Sequence, residues 1–135
     1  MKDIDKGSLA PFDQYLGIEI LEKDNGASKL SIEYQGELTN PYGYLHGGVI
    51  TTLADSAMAM AIYSKYPNDI FYTAKTEIRF KSPVDSGEIF AKAKILHKKG
   101  NFIYGDIEIY NDCDRLVARV KSVFFLYKEK MGESL

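Results

Sequence analysis

The chain has 135 residues, 45% of them apolar and 27% charged, the length and balance of one folded globular domain rather than a disordered or fibrous chain. Its 17 basic and 19 acidic residues leave a net charge of −2. The clustered basic excess that phosphate-backbone binding needs is missing, so nucleic acid is not an expected partner, while a basic pocket for one phosphorylated ligand stays open. The single cysteine, Cys113, excludes an internal disulfide, and no Cys/His cluster has metal-ligand spacing.

Ser8 to Leu16 reads as a short helix ending at Gly17, followed by a strand over Ile18–Lys23. Asp24-Asn25-Gly26 is a hairpin turn, and Ala27–Tyr34 returns as a strand in which Leu30, Ile32 and Tyr34 alternate with polar residues. Gln35 to His46 is a loop carrying the turn signature Asn40-Pro41-Tyr42-Gly43. From Gly47 to about Lys65 the period changes to about 3.6, with Val49, Ile50, Leu53, Ala54, Ala57, Met58, Ala61 and Ile62 on it. Asp55 alone interrupts the apolar run before Lys65, so this helix is expected to be buried nearly all round. Extended runs follow over Phe71–Lys81, Ile89–Lys98, Phe102–Tyr110 and Leu116–Tyr127, with turns at Ser82-Pro83, Lys99-Gly100-Asn101 and Asn111–Asp114. Strands joined by short turns pair antiparallel, and only the sheet is available to enclose the helix. The expected architecture is α+β, a curved antiparallel sheet wrapped around one central helix.

No repeat, low-complexity tract or linker divides the chain, so 1–135 reads as a single domain. The charged start Met1–Lys6 lacks the apolar core of a secretory signal, and no run of about 18 apolar residues offers a membrane span. The expected location is the cytoplasm, with no membrane partner.

The chemistry concentrates between Asn40 and Asp55. Gly47 and Gly48 bring bare backbone to a helix N-terminus, where the first N–H groups have no intrahelical acceptor and the helix dipole adds partial positive charge. Such a terminus suits a carbonyl oxygen that becomes an oxyanion, with Asn40 and His46 as possible side-chain donors; it also suits a plain loop-to-helix corner. Asp55 has two readings as well. It is a general base or nucleophile whose pKa burial raises, or a structural acid satisfied by Thr51 and Thr52 one turn earlier. Gly47 and Asp55 are eight residues apart, about 12 Å along a helix axis. A base acts within about 3 Å or through one water. If both groups serve one reaction, they therefore come from two subunits, with antiparallel helices across a two-fold axis and two sites per dimer.

Asn40…His46-Gly47-Gly48…Asp55, with Thr73 and then Ser82-Pro83…Gly87-Glu88, resembles the hotdog-fold acyl-CoA thioesterases of the phenylacetate-degradation (PaaI-like) type, over roughly Phe12 to Leu126. The resemblance implies a hotdog fold, homodimers often paired into tetramers, and sites between subunits. It implies that Gly47 donates its N–H to the thioester oxygen while Asn40 and His46 position and polarise the thioester. Asp55 of the other subunit activates water or attacks directly, and Thr73 helps hold that water. CoA, as part of the substrate, would lie along Gly48, Lys81-Ser82 and the Lys98-Lys99-Gly100 turn, with lysines facing its phosphates. Asn101-Phe102 stands where such proteins often carry a basic or small polar residue. No metal or other cofactor is implied. Alternatives within the same fold are a dehydratase, whose His-plus-acid pattern is not evident, and a non-catalytic acyl-CoA-binding or sensing module. Cys113, between Asp112 and Asp114, is a poor nucleophile, no G-x-S-x-G elbow is present, His97 is expected at the surface, and Tyr42 and Tyr44 are candidate walls of an acyl pocket.

Overall fold

The computed structural model of the protein describes residues 9–127. Along the chain run α1 (Pro11–Leu16), β1 (Glu19–Asp24), β2 (Ala27–Glu33), a 3-10 turn (Gly36–Leu38), α2 (Gly47–Lys65), β3 (Ile70–Phe80), β4 (Glu88–Lys99), β5 (Phe102–Asn111) and β6 (Leu116–Tyr127). Ser8, the expected start of the first helix, lies outside the described residues, as do the ends of the single unit 1–135. α1 begins at Pro11 because proline suits the first helical position, and Ala10 before it is held extended at φ −62°, ψ 155°. Asn25 and Gly26 both take positive φ, 45° and 85°, which joins β1 to β2 in a two-residue turn.

The six strands form one antiparallel sheet in the order β1-β2-β4-β5-β6-β3. Chain order alone does not give this arrangement. α2 crosses the face of the sheet and carries the chain from β2 to the far edge, so β4 pairs with β2 and β3 pairs with β6. The β3–β6 register slips between Thr73 and Lys75. The extra residue, Ala74, is a bulge that keeps Phe71 and Thr73 before it, and Thr76, Ile78 and Phe80 after it, on the helix side.

α2 buries Ile50, Leu53, Ala54, Ala57, Met58, Ala61 and Ile62 against Leu30, Ile32, Ile89, Ala91, Ile103, Ile107 and Ile109 of the sheet. The helix comes so close to β5 that a Cβ on Gly105 would overlap the end of the Met58 side chain, which would have to shift to admit any larger residue. The expectation that α2 is buried nearly all round needs correction. The sheet covers one side, α1 packs on part of the other, and Thr51, Thr52, Asp55, Ala59 and Tyr63 remain half-buried along a groove. Among the described residues no helix is long and apolar enough to cross a membrane.

Candidate active site

At the start of α2, His46 is extended at φ −61°, ψ 136° and its Nδ1 accepts the Gly48 N–H at 2.8 Å. A ring nitrogen that accepts leaves the proton on Nε2, so the capping histidine still offers one donor. The His46 carbonyl accepts from Val49 at 2.9 Å and Ile50 at 3.2 Å. The Gly47 N–H is left with no acceptor among the described residues. Gly48, expected beside the substrate, is at this terminus but has its N–H occupied by His46.

The preceding loop is fixed by Asn40. Its Oδ1 accepts the N–H groups of Tyr42 at 2.9 Å and Tyr44 at 3.1 Å, and its own N–H donates to the Tyr44 carbonyl at 2.7 Å. This Asx-type turn uses the side-chain oxygen and leaves the Nδ2 donors without a partner among the described residues. Leu45 donates to Val84 at 2.7 Å and His46 to Leu38 at 2.8 Å, which pins the loop to its neighbours. Tyr42 is 83% and Tyr44 38% exposed; neither lines the groove beside Asp55 within one chain.

Asp55 lies in that groove, a cavity of about 830 Å³ between α1, α2 and β3. Thr73 Oγ1 donates to Asp55 Oδ1 at 2.6 Å, so the acid and the hydroxyl expected to assist it meet within one chain. Thr51 and Thr52 instead donate to the carbonyls of Gly47 and Gly48, each at 2.8 Å. Burial raises the Asp55 pKa above its ordinary value, the Thr73 hydrogen bond opposes this, and the negative charge of Asp13 adds a further upward push. α2 is one continuous helix from Gly47 to Lys65, so the separation of about 12 Å between Gly47 and Asp55 along the axis stands.

The expected CoA contacts are spread out. The Phe80 ring packs on Gly47, where a Cβ would lie 3.3 Å from Phe80 Cζ, so Lys81 and Ser82 follow directly at the N-terminal end of α2. Ser82 Oγ accepts from Arg115 Nε at 3.0 Å, and Lys81 faces an outer basin with Glu77, Arg79, Asp106, Arg119 and Lys121. Lys98 reaches Tyr66, its Nζ 5.9 Å from the ring centroid, at the other end of α2, and Gly100 turns the adjoining hairpin at φ 59°. One chain therefore holds these two segments a 19-residue helix apart. His97 stacks on Tyr104 with centroids 4.5 Å apart, and Cys113 is exposed in the β5–β6 turn.

Sequence reading missed Asp13 and Ser56. Ser56 Oγ donates to Asp13 Oδ1 at 2.7 Å, and both line the same groove as Asp55. Position 56 is on the periodic helix, but nothing in so short a segment as α1 signals which part of α2 it covers.

Residues 42–118 match the family model of the thioesterase superfamily, a span that takes in His46, Gly47, Asp55 and Thr73 and starts two residues after Asn40. The chain is 31% identical over 105 residues to the acyl-coenzyme A thioesterase PaaI of Escherichia coli, covering 76% of this chain and 73% of that one. The solved structure of PaaI superposes with a TM-score of 0.81 at 26% identity, over 86% of this chain and 83% of that one. A 1,4-dihydroxy-2-naphthoyl-CoA hydrolase of Listeria monocytogenes is 25% identical over 116 residues, covering 85% of this chain and 94% of that one. A Streptococcus pneumoniae thioesterase protein solved with coenzyme A shares the fold at a TM-score of 0.77 and 20% identity, over 84% of this chain and 88% of that one. With the helix-on-sheet architecture, these likenesses place the chain in the thioesterase superfamily, as an enzyme of the hotdog fold and the PaaI-like type.

Proposed function

We propose that the protein is an acyl-CoA thioesterase that hydrolyses its substrate to a free carboxylic acid and CoA, at a site formed by two subunits. The observation that carries this reading is the single open N–H at Gly47, on a helix terminus otherwise capped, eight residues from a groove acid of raised pKa. The names of the Escherichia coli and Listeria relatives, both CoA-thioester hydrolases, support the substrate class.

In this mechanism the thioester oxygen accepts from Gly47 N–H, with Asn40 Nδ2 and His46 Nε2–H as flanking donors. The partner's Asp55, its second carboxylate oxygen not engaged by Thr73, takes a proton from water as the oxygen attacks the carbonyl carbon. The tetrahedral oxyanion forms against the helix terminus, the C–S bond breaks, and the proton passes from Asp55 to the departing thiolate. Direct attack by the Asp55 carboxylate, giving an anhydride that water then opens, uses the same two groups. Neither route uses a metal or a further cofactor.

The 11-residue edge strand β3 supports the two-subunit site. It borders the groove through Thr73 and Thr76, and pairing two such edges about a two-fold axis would satisfy both and set the α2 helices antiparallel. In such a dimer the antiparallel helices would bring the partner's Lys98–Gly100 hairpin to the Gly47 end of α2, so that segments far apart in one chain would border one CoA channel. Dimers of dimers are compatible with the same site.

Acyl-CoAs of different chain length and aromaticity, incubated with the protein and a thiol reagent, should release CoA thiol in step with free acid. Tight binding without hydrolysis would overturn the enzymatic reading and favour a sensing module. Thr73→Ala should lower kcat roughly 10-fold, the scale of one hydrogen bond to a charged group, and move the acid limb of the pH–rate profile upward, because a contact that favours the carboxylate is lost.

A further inference from the structure

Asp13 is buried, 6% exposed, yet among the described residues no cation faces it. Its Oδ1 accepts the Ser56 hydroxyl at 2.7 Å and its Oδ2 the Ala10 N–H at 3.3 Å, and it makes no ion pair within the described residues. Both donors are neutral, and an asparagine could accept the Ala10 N–H on its oxygen while its Nδ2 donates to a Ser56 hydroxyl turned to accept. What an asparagine lacks is charge, which is costly to bury without a counter-ion unless something uses it.

The charge borders the catalytic groove. Ser56, which holds Asp13, is the residue after Asp55, and both acids line the one cavity of about 830 Å³. None of the described residues that line it is a Lys, Arg or His. Among the described residues, the titratable groups facing Asp55 are Asp13 from α1 and Tyr63 from α2, while β3 contributes only the neutral hydroxyls of Thr73 and Thr76. Asp13 also lies outside the residues 42–118 that match the family model. It belongs to the N-terminal helix that covers this flank of α2.

We propose that Asp13 is a positioning residue for Asp55: through Ser56 it fixes the α2 turn that carries the acid, and its charge across the shared groove keeps Asp55 the stronger base. This rests on the reading of Asp55 as the catalytic acid–base group. The sign follows from like charge disfavouring like charge, in agreement with the upward push of Asp13 on the Asp55 pKa. Brønsted behaviour then makes the more basic carboxylate the better proton acceptor at neutral pH.

The test uses the full chain with Asp13→Asn, which removes the charge, keeps the Ala10 N–H bond on its oxygen and keeps the Ser56 link with the hydroxyl reversed to accept from Nδ2. Two quantities are read: the pH profile of kcat/KM on a hydrolysed acyl-CoA, and the titration of the Asp55 carboxyl followed by carbon-13 NMR. The expected result is a plateau lowered a few-fold, with the acid limb and the NMR titration both displaced to lower pH. A merely structural role would lower the plateau without moving either midpoint. Gln14→Lys places a cation on the exposed rim of the same groove and should give a downward displacement even if the Asp13 variant folds poorly. Midpoints unmoved in the folded variants overturn this inference alone. Hydrolysis that survives Asp55→Asn overturns instead the reading on which it rests, and the NMR titration tells the two failures apart.

Discussion

Asp55→Asn is expected to lower kcat about 10²–10⁴-fold, the usual worth of a general base, with little change in KM, while the protein melts at the same or a higher temperature at neutral pH. The two halves of this prediction come from one environment. Asparagine keeps an oxygen for the Thr73 hydroxyl, so the 2.6 Å contact has an acceptor, but it cannot take a proton from water. The Asp55 pKa is raised in the folded chain, so folding favours the protonated form. Its contribution to stability is present below the ordinary carboxylate pKa and is lost as pH rises through the raised value. At neutral pH the ionised acid thus counts against the fold, and its replacement relieves that cost. A structural acid would behave oppositely, with stability and activity falling together. The same shift sets the pH dependence: activity requires the ionised form, so kcat/KM should fall on acidification with a midpoint above the usual carboxylate range. Steady-state kinetics and thermal melts on the one variant check all of this.

The second large effect is expected at Gly47. Gly47→Pro should reduce kcat about 10²–10³-fold, the range for loss of one oxyanion-hole donor, with the fold retained. Proline is tolerated at the first helical position, and His46 before it already has the extended geometry, φ −61°, ψ 136°, that a following proline demands. The substitution therefore deletes one N–H and adds a ring whose Cβ meets the tip of Phe80. Gly47→Ala is the matching control, because it keeps the donor. Its Cβ would lie 3.3 Å from Phe80 Cζ, at the tip of a ring that is 52% exposed and can give way, so most activity should remain. If proline and alanine at this position proved equally active, the Gly47 N–H would have no part in the reaction.

Much of the fold was legible because its patterns are local. The alternation of Leu30 and Ile32, the Asn25-Gly26 turn and the change of period at Gly47 set strand, hairpin and helix within a residue or two of their observed bounds. Strand order was not legible, because it depends on where α2 deposits the chain, which no local period encodes. The Ala74 bulge was equally hidden, although it is what turns Thr73 and Thr76 to the same side. In the site, Asp55 stood out as a lone acid on an apolar helix and Gly47 as bare backbone at its start. Thr73 came only from family resemblance, since a threonine in a strand carries no signal of its own. The capture of the Gly48 N–H by His46 depends on a side-chain rotamer. Asp13 depends on a short helix folding back over α2, a contact across 43 positions of sequence.

In the proposed mechanism Gly47 and Asp55 act together only across a subunit boundary. Co-expressing Asp55→Asn and Gly47→Pro chains with different tags, and purifying the mixed dimer, tests it directly. One of the two sites in that dimer would hold an intact Gly47 and an intact Asp55, so about half of the wild-type kcat should return although each parent is inactive. A purified mixed dimer as inactive as its parents would contradict the shared site.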